Sequence, residues 1–328
     1  MYLDLFDEFD EIVIQCHDNP DADAIGSGFA LYTYFCEKDK KVRLIYTGDN
    51  HITKPSLLLM IDKLQIPIEY VEPHFSCSLL ITVDCQYGGG NITCLKAEQV
   101  AMIDHHPGCV PMDEYCMIKT DYGSCCTVVW ELLMDKGINV NNNIHVATAL
   151  YYGLYSDTGQ LSEIYQPQDR RLRDYLQIDR TVMDRIVNSN LLREELRIAG
   201  DALFHYYYDE EWQFAIIPTK PCDPNLLGVI NDLAIQTDTI NLSVAYCETA
   251  IGYKYSVRSN INEARAGHVA NYISDGIGSG GGHVSKAGGY VLKRLFYAKY
   301  PDMNFGDMLQ EKIRKYEKNE AMTGGIGE

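Results

Sequence analysis

Ile12-Val13-Ile14-Gln15-Cys16-His17-Asp18-Asn19-Pro20-Asp21-Ala22-Asp23-Ala24-Ile25-Gly26-Ser27 is the stretch whose reading decides the fold. Its first five residues have the length and β-branched content of a buried strand. A histidine and three aspartates follow within seven positions, 17 to 23. Asn19 and Pro20 mark a turn, and the small apolar run from Ala24 to Phe35 reads as a helix packed against a sheet. Open α/β sheets place ligands where their strands end. One imidazole and several carboxylates at such an edge suit a divalent cation such as manganese or magnesium. Asp21 or Asp23 alone would serve as a helix cap. A cap, however, needs neither His17 nor further carboxylates.

The same punctuation recurs downstream. Lys41 to Tyr46 reads as a second strand, and Leu57 to Leu64, after Pro55, as a helix. Leu79 to Val83 is a buried strand ending on Asp84, before a turn at Gly88-Gly89-Gly90. Val100 to Ile103 is another and ends on Asp104-His105-His106. A further apolar segment, Ala147 to Tyr155, of helix or strand type, leads to Asp157. Strands alternating with helices imply a mostly parallel sheet, in which neighbouring strand ends lie side by side. The residues at these ends are therefore expected to converge.

Composition narrows the class. The 328 residues suffice for two domains, and 46% apolar content argues against disorder. A net charge of -18 disfavours neutralising the phosphates of long duplex nucleic acid, but is compatible with a small phosphorylated substrate held at bound cations. Met1 to Asp10 is acidic rather than signal-like, and no apolar run reaches membrane-spanning length, so the expected location is cytoplasmic with no membrane partner. The eleven cysteines lack regular spacing and read as reduced residues rather than a disulfide framework or a zinc site.

Beyond Asp157, charge is dense in Gln168 to Asp174, read as a solvated helix face, and apolar residues recur at helical spacing at Leu172, Leu176, Ile178, Val182 and Ile186. From Trp212 the chain becomes strand-rich, with Gln213–Ile217, Leu242–Tyr246 and Gly252–Val257 as strands and Leu226–Ala234 as a helix. Asn262 to Ile273 reads as an amphipathic helix. Gly276 to Gly282 holds five glycines in seven positions, which reads as backbone exposed to an anionic ligand rather than as core packing. Arg258 offers a forked donor suited to phosphate. Asn304 to Glu320 reads as a terminal helix, and Ala321 to Glu328 as a flexible end.

Together, His17-Asp18-Asn19-Pro20-Asp21-Ala22-Asp23 with Ser27, Asp84, Asp104-His105-His106 and Asp157-Thr158-Gly159 make the sequence resemble the DHH phosphoesterases. Ser256-Val257-Arg258-Ser259 and Gly280-Gly281-Gly282-His283 extend the resemblance to the branch with a DHHA1 carboxy-terminal domain. That branch includes RecJ-like single-strand exonucleases, NrnA-like bacterial oligoribonucleases that also dephosphorylate 3',5'-bisphosphate nucleotides, and cyclic-dinucleotide phosphodiesterases. The resemblance implies an α/β, two-domain fold. A mostly parallel sheet with helices on both faces would form residues 1–176, a helical linker 177–203, and a smaller α/β domain 204–328, with the active-site cleft between the domains.

It also implies two Mn2+ ions, with Mg2+ as an alternative. One would be held by His17, Asp21 and Asp84, the other by Asp23, Asp84, His105 and Asp157. His106 would face the substrate and Asp104 would orient a histidine, while Arg258, His283, Gly281 and Gly282 would contact the phosphate or nucleotide. The implied activity is hydrolysis of short single-stranded oligonucleotides or small phosphorylated nucleotides, with no duplex partner; a homodimer is left open. The alternatives are a RecJ-like exonuclease, a cyclic-dinucleotide phosphodiesterase, a pyrophosphatase or a non-catalytic nucleotide-binding protein.

Overall fold

A computed structural model describes residues 2–323 except 50, 75, 109–112, 190 and 262–264, with side chains to residue 318. The first residues expected of the 262–273 helix, and positions 324–328 of the expected flexible end, lie outside the described residues. The chain divides into two compact units, Met1–Asn190 and Leu191–Glu328.

The first unit runs β1 (Glu11–Cys16), α1 (Ala22–Cys36), β2 (Lys41–Tyr46), α2 (Pro55–Leu64), β3 (Ile68–Tyr70), β4 (Ser76–Val83), β5 (Lys96–Asp104) and β6 (Cys116–Ile118). It continues with α3 (Cys125–Asp135), α4 (Ile144–Asp157), α5 (Pro167–Tyr175) and α6 (Arg180–Val187). The six strands are all parallel, in the order β3-β2-β1-β4-β5-β6. That is the doubly wound order, with its switch point between β1 and β4. The short edge strands β3 and β6 escape sequence reasoning because three residues carry no readable period.

The main core joins Ile12, Ile14, Leu44, Leu79, Ile81 and Ile103 to residues of α1 to α6. On the opposite face Val13, Ile45 and Leu80 meet Leu95, with Val71 and Tyr87. That smaller cluster contains no helical residue, which corrects the expectation of helices on both faces. The cause is topological: the parallel crossover from β4 to β5 runs as a loop carrying Tyr87 and Leu95, with no helix. The apolar segment at 147–155 is helix α4.

The second unit runs α7 (Arg193–Phe204), β7 (Tyr207–Asp209), β8 (Phe214–Thr219), α8 (Pro224–Ala234), β9 (Leu242–Glu248), β10 (Gly252–Ser259) and α9 (Ala266–Ser274). It ends with β11 (Gly278–Gly282), β12 (Lys286–Leu292), α10 (Lys293–Lys299) and α11 (Phe305–Thr323). Its sheet has the order β11-β12-β10-β9-β8-β7, antiparallel except for the β8–β9 pair. Alternation along β8 feeds two cores: Phe214 and Ile216 pack with α9 and α11, while Ala215 and Ile217 pack with α7 and α8.

The glycine run departs from its reading. Residues 278–282 form the edge strand β11, with positive φ at its flanks, 72° at Gly276 and 146° at Gly282. A Cβ on Gly280 would lie 2.3 Å from the Tyr255 hydroxyl and 2.5 Å from the Ala270 carbonyl oxygen. Close packing against α9 and a buried tyrosine thus requires that glycine. Gly281 is different: a Cβ there would meet nothing within 4 Å.

Candidate metal centre

β1, β4 and β5 are consecutive neighbours in the first sheet, so His17, Asp84 and His105 leave adjacent carboxyl ends. Asp21 is the N-cap of α1, accepting hydrogen bonds from the backbone N–H groups of Asp23 (2.9 Å) and Ala24 (3.1 Å). Asp23 lies in the first turn of that helix. Asp157 is the last residue of α4, where a negative side chain opposes the helix dipole. Helix stability does not account for it.

These residues meet. His105 Nε2 lies 3.2 Å from Asp157 Oδ2, 3.4 Å from Asp84 Oδ1 and 3.7 Å from Asp23 Oδ2. His17 Nε2 is 3.7 Å from Asp84 Oδ2 and 4.0 Å from Asp21 Oδ1. The ligand atoms fall into overlapping groups: His17-Asp21-Asp84, Asp23-His105-Asp157 and Asp84-His105-His106. Buried Asp84 Oδ1 and His105 Nε2 have no hydrogen-bond partner among the described residues. Carboxylate oxygens within 4.8 Å of one another repel by roughly 3.5 kcal/mol per pair at an effective dielectric of 20. Ligand atoms that converge this closely, with two of them lacking a hydrogen-bond partner among the described residues, fit divalent cations. Oxygen and imidazole donors together suit manganese or magnesium.

Asp84 also carries a left-handed backbone, φ 59°, anchored by its N–H to the Ile103 carbonyl at 3.0 Å. That conformation costs a non-glycine residue roughly 1–3 kcal/mol and gathers at functional sites.

Neighbouring groups hold the ligands in place, and of these the Tyr122 carbonyl, the α3 amides, Thr47 and Thr93 were missed by sequence reasoning. His105 Nδ1 is 3.0 Å from the Tyr122 carbonyl oxygen; donation there leaves Nε2 as the lone pair facing the carboxylates. Both oxygens of Asp23 accept from the N-terminus of α3, at 2.6 Å from Cys125 N–H and 2.8 Å from Cys126 N–H. Asp18 accepts from the Thr47 hydroxyl (2.6 Å) and from the hydroxyl (2.8 Å) and backbone N–H (2.9 Å) of Thr93, pinning the turn after β1. Buried Asp104 accepts from His106 Nδ1 (2.9 Å), from the His105 backbone N–H (2.8 Å) and from Gln86 Nε2 (2.9 Å). His106 is half exposed, with Nε2 its remaining ring nitrogen.

The electrostatics follow from this crowding. Burial would lower the His105 imidazole, but the Asp157 and Asp84 carboxylates beside it overcome that and push the group up to about 12. Burial would raise Asp84, yet the neighbouring His105 and His17 imidazoles bring it down to about 2. Burial, with the charges of Asp84 and Asp157, pushes Asp23 well above the usual carboxylate range. The hydrogen bond to Asp104 raises His106.

In the second unit, Arg258 pairs across β10 and β12 with Lys286, whose carbonyl accepts the His283 backbone N–H at 2.7 Å. These three therefore share one end of that sheet. The Arg258 guanidinium is already engaged, with Nε 2.6 Å from Asp232 Oδ1 and Nη1 3.0 Å from the Ser256 hydroxyl. His283 and Gly282 are exposed and Gly281 is partly so.

Comparison with known proteins agrees with this architecture. Residues 11–154 match the family described as DHH family, N-terminal domain. The first unit thus carries a DHH-family domain. The fold of the whole chain is shared with an exopolyphosphatase-related protein from Bacteroides fragilis, at a TM-score of 0.76 and 20% identity, over 98% of this chain and 96% of that one. Neither comparison singles out a RecJ-like or NrnA-like branch.

Among curated proteins, an uncharacterized protein of Methanocaldococcus jannaschii is 22% identical over 92% of this chain, which spans 62% of that protein's length. An uncharacterized protein of Mycoplasma genitalium is 29% identical over 46% of this chain and 46% of its own length. The chain therefore spans less than two thirds of these curated relatives. No helix among the described residues is long and apolar enough to cross a membrane.

Proposed function

We propose that this protein is a metal-dependent phosphoesterase that hydrolyses short single-stranded oligonucleotides or small phosphorylated nucleotides. The observation carrying the reading is the partnerless, buried pair Asp84 Oδ1 and His105 Nε2, encircled by carboxylates from separate chain segments. His17, Asp21 and Asp84 would hold one cation, and Asp23, Asp84, His105 and Asp157 a second. When bound, such cations would supply an activated water and charge stabilisation for a phosphoryl group.

The chain's own residues do the rest. Asp84, buried and ionised, faces both imidazoles and ties the two ligand groups together. Tyr122 fixes the ring of His105 so that its lone pair faces inward. Asp104 holds His106 Nδ1, which leaves the half-exposed Nε2–H to donate to a phosphate oxygen. The Asp104 contact raises His106 above its ordinary value, which favours the doubly protonated ring that such donation requires. Arg258, His283 and the glycine backbone at 281 and 282 are the proposed contacts for the remainder of the substrate.

The test is a panel assayed with manganese and with chelator. It contains RNA and DNA oligomers of two to five residues, 3',5'-bisphosphate adenosine, linear and cyclic diadenylate, pyrophosphate and polyphosphate. Polyphosphate enters because the Bacteroides fragilis protein is described as exopolyphosphatase-related. Metal-dependent turnover of the short oligomers or bisphosphate nucleotide is expected. Nucleotide binding with no hydrolysis of any member would leave a non-catalytic binding protein instead.

A further inference from the structure

Asp169 belongs to none of the ligand groups, yet it is 1% exposed. No ion pair reaches it among the described residues. Its Oδ2 accepts from the Gly123 backbone N–H at 2.9 Å, and its Oδ1 from the Thr127 hydroxyl at 2.6 Å. Burying a carboxylate on neutral donors alone is unfavourable, so the position calls for a role beyond local stability.

Both of its contacts grip one short segment, the turn from Tyr122 to Ser124 and the start of α3. That segment supports three ligands at once. The Tyr122 carbonyl accepts from His105 Nδ1, and the Cys125 and Cys126 amides donate to Asp23. Gly123 packs so closely against Thr158, the neighbour of Asp157, that a Cβ there would lie 2.7 Å from Thr158 Cγ2 and 3.1 Å from Asp169 Oδ2. The Tyr122 hydroxyl is itself held by both Glu131 oxygens, at 3.0 and 2.9 Å. Asp23, His105 and Asp157 are one of the ligand groups. The other, His17-Asp21-Asp84, rests on the turns after β1 and β4, where Asp18, Thr47 and Thr93 make the supporting contacts.

We infer that Asp169 is a positioning residue for one of the two cation positions, that of Asp23, His105 and Asp157, through the Tyr122–Ser124 turn. The inference rests on the metal-site reading above. It makes the two positions separately adjustable, with one tuned by α5 and the other independent of it.

Manganese binding to the full chain, followed by the electron paramagnetic resonance signal of free Mn2+, tests this without reference to turnover. Asp169→Ala removes both acceptors, so one of two binding steps is expected to weaken by roughly 10–100-fold while the other stays at its wild-type midpoint. Asp169→Asn can accept from Gly123 and donate to the Thr127 hydroxyl, so it is expected to bind as the wild type does. Thr127→Val is expected to weaken the same single step and Thr127→Ser to retain it; this pair decides the matter if Asp169→Ala does not fold. Equal weakening of both steps, or of neither, in a folded variant overturns the inference. A wild-type chain that binds no manganese overturns the metal-site reading instead.

Discussion

The two units use similar residue types to different ends. In the first, acids and imidazoles stand at the ends of adjacent parallel strands, and two buried polar atoms face each other without a hydrogen-bond partner among the described residues. In the second, Arg258 is satisfied by Asp232 and Ser256, and the glycine run is partly consumed by packing against Tyr255 and Ala270. Parallel topology brings all carboxyl ends to one edge, so sequence-distant ligands converge without local help. An antiparallel sheet alternates its ends, and each candidate there has to be judged by its own contacts.

The comparison can be broken at its strongest point first. Asp84→Ala removes the residue shared by both ligand groups and should lower turnover on the order of a thousandfold or more, as loss of a central charge-stabilising group does. Steady-state kinetics with manganese at fixed saturation checks this, and near wild-type turnover would remove Asp84 from the site.

Next in size is the contrast within the glycine run. Gly280→Ala should destabilise the protein by about 1–3 kcal/mol through overpacking on Tyr255. Gly281→Ala should leave denaturant stability nearly unchanged. If Gly281→Ala nonetheless raises the Michaelis constant, its proposed substrate contact is sharpened; equal stability losses would undo the contrast.

Arg258→Ala should raise the Michaelis constant for substrates with a free phosphate about tenfold or more, with a smaller effect on turnover, as expected for a charge-assisted hydrogen bond. Asp232→Asn should act in the same direction but more weakly, because it only loosens the guanidinium. A turnover loss without any change in the Michaelis constant would contradict this role.

The smallest effect is a pH slope, and its sign differs between chelated and loaded protein. His105 is raised from 6.5 to about 12 in the folded chain. Its contribution to metal-free stability is therefore complete below pH 6.5 and declines as pH rises toward about 12. Asp84 works at the other end, its contribution being lost only as pH falls through about 2. A cation must displace the His105 proton, so manganese binding should release protons and tighten with rising pH. The melting temperature of chelated protein should drift down above pH 6.5 while the added stabilisation by manganese grows. Calorimetry in buffers of different ionisation enthalpy reads the proton release directly.

Much of this was legible in the sequence for a physical reason. A buried parallel strand is a short, apolar, β-branched run, and β1, β2, β4 and β5 all contain the runs read there. Each stops on a polar residue at a place the topology makes common. What escaped was carried by groups without a residue signature. The Tyr122 carbonyl and the α3 amides are main-chain atoms that any residue supplies.

Asp169 was hidden among arginines and read as part of a solvated face. One signal was available: it sits three positions before buried Leu172 and so lies on the inward stripe of α5. The glycine run misled because exposure and close packing select the same residue. Tyr255 and Ala270, both distant in sequence, are what distinguish Gly280 from Gly281.

The central claim is that side chains from separate strand and helix ends form a two-cation site. Crystals grown with manganese, with anomalous scattering recorded at its absorption edge, test it most directly. The account predicts two peaks, one within bonding distance of His17, Asp21 and Asp84 and one of Asp23, Asp84, His105 and Asp157. No peak at these side chains, or manganese bound elsewhere while Asp84 and His105 pair with each other alone, would contradict it.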